Sequence, residues 1–238
     1  MTNCDFSYLH YKETLKKIKK THNFSDFFNC STNDIILRHD VDVSLRSALK
    51  IAQIENDLEI QSTFFILFHA ELYNSFNADS MKIIREIIHL EHKIGLHYNS
   101  SFYVQNNLDP TESLKKELEL MEQHFDTPVR VISAHDPGVS GQFILNLPKG
   151  ILNAYSDNFV KNRKYLSDSV QNWRESCFCQ NFSKYNEMQI LTHPIWWTEN
   201  NLKRKEILNH LNNESVSNCE HEVQYLSDKY ENYISQLK

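Results

Sequence analysis

Three observations predict an α/β fold, a parallel barrel or doubly wound sheet of alternating strands and helices with extra helices at both ends. Short runs rich in β-branched and aromatic residues alternate with longer stretches of helical spacing over most of the chain. Several of the short runs are apolar throughout, as strands covered on both faces are. Successive runs also end abruptly in Asp or His, and chemistry collects at the carboxyl ends of parallel strands in barrels and doubly wound sheets alike. With 238 residues, 40% apolar, the chain can fill one large core but hardly two. One domain, 1–238, is therefore expected, with a core over about 33–200 and helical extensions at 1–32 and 201–238.

The elements follow in order. Residues 6–28 read as an amphipathic helix, with Tyr8, Tyr11, Leu15 and Ile18 near helical spacing, and then an aromatic turn. Ile35-Ile36-Leu37-Arg38-His39-Asp40-Val41-Asp42 begins as a buried strand and ends in two carboxylates. Ser44 can cap a helix carrying Leu45, Ala48, Leu49 and Ala52. Ile60–Phe68 is a second strand, and Ser80 is expected to start a helix with Ile83, Ile84, Ile87 and Ile88 inward. Lys93–His97 is a third strand. Asp109-Pro110-Thr111-Glu112 combines an N-cap, a proline at N1 and an acid at N3, and opens a helix. Val129–Ala134 is a fourth strand, ending at His135-Asp136-Pro137-Gly138. Shorter strands are expected over 150–155, 164–167 and 188–192, and two charged helices over 202–237.

Composition narrows the function. The net charge of −6 and the lack of a basic patch with interleaved aromatics argue against a nucleic-acid partner. No apolar run approaches a membrane span, and the first residues lack the pattern of a signal peptide, which points to the cytoplasm. Five cysteines, an odd number without a C-x-x-C pair, read as reduced thiols. Cys177 and Cys179 have the wrong spacing for a two-cysteine zinc knuckle and are read as incidental.

Asp40 and Asp42, one residue apart at a strand end, point the same way. One can hold a metal while the other accepts a proton; the alternative is an Asx turn or helix cap. His97, His135 and His193 end three further strands. Most of the 12 histidines must be ordinary core or surface residues, His10, His22, His124, His210 and His221 among them, but four strand ends finishing in Asp or His form a pattern. Carboxylate plus imidazole suits zinc or a similar divalent ion, which polarises a carbonyl and acidifies a water to a pKa of about 7.

The order of these motifs resembles that of the NodB-like polysaccharide deacetylases, carbohydrate esterase family four, from about Ile35 to Trp197, which implies a distorted (β/α) barrel. The family's first motif, usually T-F-D-D-G, resembles His39-Asp40-Val41-Asp42, which implies Asp40 as base and Asp42 as metal ligand. The second resembles His92-Lys93-Ile94-Gly95-Leu96-His97, with His97 a ligand; the partner histidine expected four residues on is Ser101. The third motif, an Arg-x-Pro strand end, resembles His135-Asp136-Pro137-Gly138. The fourth resembles Ser167-Asp168-Ser169 with Trp173-Arg174, and the fifth Leu191-Thr192-His193, whose histidine is implied as general acid. The set resembles a cytoplasmic-looking branch linked to surface-polysaccharide biosynthesis.

Because Ser101 is a poor donor, His135 is expected to complete the metal site with Asp42 and His97; the rival is that it only hydrogen-bonds Asp40. Arg38, Tyr98, Asp168, Trp173, Arg174, Trp196 and Trp197 are candidate substrate contacts. For Arg38 and Arg174 the competing reading is a salt bridge, to Asp40 and Asp168. Trp196 and Trp197 either stack on sugar or plug the barrel mouth. The reading is thus a metal-dependent hydrolase, probed with zinc first, that removes an acetyl or formyl group from a nucleotide- or lipid-linked amino sugar. Its alternatives are a metal-free amidohydrolase acting on a cyclic amide, and a sugar-binding protein without catalysis.

Overall fold

The strand β2 (Asp34–Val41) is buried along its whole length, because it has neighbours on both edges and packing on both faces. In the computed structural model, which describes residues 4–137 and 147–236, it joins β3 (Thr63–Leu67) on one side and β8 (Met188–Thr192) on the other. The sheet order is β6-β5-β4-β3-β2-β8-β7, and β1 (Asn23–Ser25) pairs with the start of β2. The remaining strands are β4 (Lys93–Tyr98), β5 (Val131–Ala134), β6 (Leu152–Asn153) and β7 (Lys164–Ser167). Every pairing between described strands is parallel. The sheet curls into an open barrel with β6 and β7 as outer strands, the distorted (β/α) barrel expected from the sequence. β1 was expected as part of an aromatic turn; its pairing with β2 is non-local and leaves no short-range signal.

Helices cover the outer face: α1 (Tyr8–Ile18), α2 (Leu45–Asn56), α3 (Ala78–His89), α4 (Ser100–Gln105) and α5 (Pro110–Phe125). Ser44 caps α2 and Asp109 caps α5, each accepting from the backbone N–H three residues on. α3 begins earlier than expected. Asn77 is its cap and accepts from the Ser80 N–H, so Ser80 lies inside the first turn. Two one-turn helices, α6 (Asp157–Val160) and α7 (Phe178–Asn181), flank β7.

Period-two alternation sorts the strand residues into two cores. Ile35, Leu37, Val41, Phe64, Ile66, Ile94 and Leu96 face the helices in one cluster. Ile36, Phe65 and Val131 point into the barrel with Phe27 and Phe159 and close its lower end. Gly95 is required there: a Cβ would lie 2.5 Å from Phe65 Cε1 and 2.9 Å from the Val131 carbonyl oxygen. The next inward positions above this apolar plug are Arg38, Asp40 and Ser133.

A separate compact unit begins at Leu202. It contains α8 (Arg204–Gln236), one helix of 33 residues where two were expected. No Gly or Pro interrupts 202–237, so nothing in the sequence stops it. Among the described residues no helix is long and apolar enough to cross a membrane.

Candidate active site

Parallel register brings the ends of β2, β4, β5, β7 and β8 to one mouth. His97 sits opposite Leu67 and Ser133 in the ladder, and Asp40 sits opposite Phe65. Asp42 follows β2 by one residue, on the same side as Arg38 and Asp40. His135 continues β5, its backbone N–H donating to the Tyr98 carbonyl at 2.9 Å.

Asp42, His97 and His135 converge. Asp42 Oδ1 is 2.9 Å from His97 Nε2 and 3.4 Å from His135 Nδ1, and the two ring nitrogens are 3.3 Å apart. A tetrahedral ion with bonds of about 2.0–2.1 Å has ligand-to-ligand edges of about 3.3 Å, so the triangle has the size a zinc-like ion needs. Protonation supports the same reading. His97 Nδ1 lies 3.0 Å from the Ser133 carbonyl oxygen, which can only accept, so Nδ1 carries a proton. In the neutral ring Nε2 then presents a lone pair toward Asp42 Oδ1, a buried oxygen with no donor aligned on it. Two lone pairs at 2.9 Å repel unless a cation or a second proton lies between them. Burial works against the Asp42 carboxylate, yet its contacts with His135 and His97 hold it well below the usual carboxylate range. Burial lowers the His135 imidazole, and Asp42 more than reverses this. The residues present therefore fit a divalent ion.

Two further groups flank the triangle. Asp40 is 3.8 Å from His97 Nε2, receives a 3.3 Å contact from Arg38 Nη2, and lies 3.3 Å from the Ser133 hydroxyl. Opposite, His193 Nε2 is 3.8 Å from Asp42. Its Nδ1 donates to Asp168 Oδ1 at 2.7 Å, the His193 backbone N–H donates to the same oxygen, and Trp197 Nε1 donates to Oδ2 at 2.9 Å. Burial disfavours the His193 imidazolium, but the hydrogen bond and charge of Asp168 outweigh it and push the ring up to about 9.

No family model matches the sequence, and no curated protein matches it. Solved structures do. A family 4 carbohydrate esterase from Bacillus anthracis is 13% identical, covering 85% of this chain and 84% of its own, with a TM-score of 0.45. A CE4 family pseudoenzyme from Bacillus anthracis is 13% identical, covering 77% of this chain and 62% of its own, with a TM-score of 0.45. The chitin deacetylase from the fungal pathogen Colletotrichum lindemuthianum is 12% identical, over 78% and 83% of the two chains, with a TM-score of 0.42. At identities this low the similarity concerns the path of the chain alone.

Of the expected site residues, Asp40, Asp42, His97, His135 and His193 share the mouth. His135 contacts Asp42 and His97 rather than Asp40. Ser101 lies in α4, outside the triangle. Burial separates the candidate substrate contacts. Arg38, Tyr98, Asp168 and Trp197 are each 0% exposed. Arg38 lies inside the barrel, 4.5 Å from the centre of the Tyr155 ring, and pairs with Asp40. Tyr98 is in the core, and Trp197 packs on Tyr11 and Phe178 while binding Asp168. Trp173 and Trp196 are half-buried against the same core. Arg174 is exposed and does not pair with Asp168, whose oxygens serve His193 and Trp197.

Ser133 was given no role, although it sits two residues before His135 and therefore on the same face of β5. The other omission is a buried polar layer on the helix side of β2. His39 Nε2 is 2.9 Å from Glu55, and His39 Nδ1 is 2.7 Å from the Thr192 hydroxyl. Tyr11 and Ser62 also donate to Glu55. Most of these residues are far apart in sequence, and together they form no motif.

Proposed function

We propose that this chain is a divalent-metal-dependent hydrolase that removes an N-acyl group from an amino sugar. One observation carries the hydrolytic part. The Asp42–His97–His135 triangle lies between a buried carboxylate, Asp40, and an imidazole held protonated, His193. Asp42, His97 and His135 would hold the ion, zinc being the first choice for two imidazoles and a carboxylate. When bound, such an ion polarises a carbonyl and acidifies a water. In this reading Asp40 takes a proton from the attacking water, and Arg38 and the Ser133 hydroxyl hold its orientation. His193, kept charged and oriented by Asp168, gives a proton to the departing amine. Arg38 and Asp168 are thus positioning residues rather than substrate contacts.

The sugar rests on the motif order from Arg38-His39-Asp40-Val41-Asp42 to His193-Pro194-Ile195-Trp196-Trp197. A nucleotide- or lipid-linked precursor in surface-polysaccharide biosynthesis, met in the cytoplasm, is the substrate we favour. The test combines metal analysis with amine release from acetamido and formamido sugars. Asp42→Asn should lose both metal and turnover, whereas Asp40→Asn should keep the metal and lose about 10²–10⁴-fold in rate. Full turnover after complete chelation would instead favour metal-free amide hydrolysis.

A further inference from the structure

A second group of metal-type ligands lies away from the barrel mouth. Cys4 precedes α1, His10 is on α1, Cys177 is the N-cap of α7 and Cys179 lies in its first turn. One ligand atom from each of the four lies within 4.8 Å of all the others. We propose that Cys4, His10, Cys177 and Cys179 form a structural Cys3His site for zinc, clamping the segment before α1 to α7. None of these residues belongs to the triangle at the mouth, so the site stands apart from the proposed hydrolysis.

The distances suit soft tetrahedral ligation. His10 Nε2 is 3.4 Å from Cys177 Sγ, and bonds of about 2.0–2.1 and 2.3 Å at a tetrahedral angle give an edge of about 3.5 Å. Cys4 Sγ and Cys179 Sγ are 3.1 Å apart, so this pair opens to the edge of about 3.8 Å between two zinc thiolates. All three are free thiols.

Hydrogen-bond donors from neighbouring groups reach two of the sulfurs. Gln180 Nε2 donates to Cys4 Sγ at 3.0 Å, and the Cys179 N–H points at Cys177 Sγ at 3.5 Å. Such donors around sulfur are the outer contacts that orient and stabilise metal-bound thiolate. His10 is buried among them, with its Nε2 facing Cys177 Sγ. Zinc binds thiolate rather than thiol, so up to three protons leave as one Zn²⁺ binds.

The clamp also braces the proton-transfer pair. The His10 ring lies parallel to Trp197, with centroids 6.5 Å apart, and Trp197 donates to Asp168. A site formed from four residues brought together by α1 and α7 leaves no spacing signature. This is why Cys177 and Cys179, two apart, looked incidental.

The test uses the full chain, freed of metal under reducing conditions and titrated with Co²⁺ alone. Thiolate-to-cobalt charge-transfer absorption is expected in the wild type and, undiminished, in His97→Ala. Cys179→Ser should weaken that absorbing site by about tenfold or more. Cys4→Ser should do the same without touching the core, since Cys4 is exposed. Zinc should raise the Tm of His97→Ala but not of Cys4→Ser/His97→Ala. Cobalt binding without thiolate absorption in the wild type would overturn the proposal. So would a Cys4–Cys179 disulfide in the freshly isolated chain, seen as a two-hydrogen mass deficit restored by reductant, with no zinc bound. Loss of amide hydrolysis with the thiolate absorption intact would count against the proposed function and leave this site standing.

Discussion

Replacing Asp168 with Asn tests the proton-transfer pair most directly. Asp168 is fully buried and spends its carboxylate on three donors, two from His193 and one from Trp197. The rise of His193 from its ordinary 6.5 to about 9 corresponds to roughly 3 kcal/mol in favour of the imidazolium. Because the folded-state value lies above the unfolded one, this stabilisation is fully present below about pH 6.5. It fades as pH rises and is gone above about 9. Asn keeps the shape and one acceptor but removes the charge, and its amide nitrogen cannot accept from Trp197 Nε1. The assay is a pH titration of the His193 ring resonances by NMR in the metal-free chain, with urea unfolding at several pH values. In Asp168→Asn the ring should titrate well below the wild-type value, with burial lowering it and only the Asp42 and Asp40 charges left to raise it. The wild-type advantage in unfolding free energy should shrink by up to roughly 3 kcal/mol between pH 6 and 9.5. The loss of the Trp197 hydrogen bond, about 1–3 kcal/mol, should persist at every pH. A wild-type ring titrating at its ordinary value would refute the reasoning, as would a variant whose ring titrates as the wild type does.

Three other outcomes are expected. His193→Ala should slow cleavage of an amide far more than of an ester with a good leaving group, since the ester needs little proton assistance; equal losses in parallel kinetic assays would remove His193 as the acid. Gly95→Ala should destabilise the chain by about 1–3 kcal/mol in urea unfolding, because the added methyl meets Phe65 and the Val131 carbonyl; no change would mean that the barrel floor is looser than its geometry. Glu55→Ala should cost about 3–5 kcal/mol by leaving His39, Tyr11 and Ser62 without their buried partner, with thermal unfolding as the readout; an unchanged Tm would show that the layer is dispensable.

The sequence by itself determined the elements that depend on neighbours along the chain. β7 and β8 occupy the predicted ranges, and the Asp109-Pro110 start opens α5 where its local hydrogen bonding requires. The shared direction of Asp40 and Asp42 also followed from sequence, because alternation along a strand is a local property. Tertiary structure decided whatever depends on which strands lie side by side. Register alone puts His135 beside Asp42 and His97, and it alone shows that Ser101 lies elsewhere. Burial also puts Tyr98 and Trp197 in the core; an aromatic side chain at a strand end looks the same in sequence whether it lines a mouth or packs behind it. The Glu55 layer and the Cys4–His10–Cys177–Cys179 group were invisible for the same reason: Glu55 lies 16 residues from His39, the Cys4–His10 pair lies more than 160 residues from the Cys177–Cys179 pair, and only chain crossings in space make them neighbours.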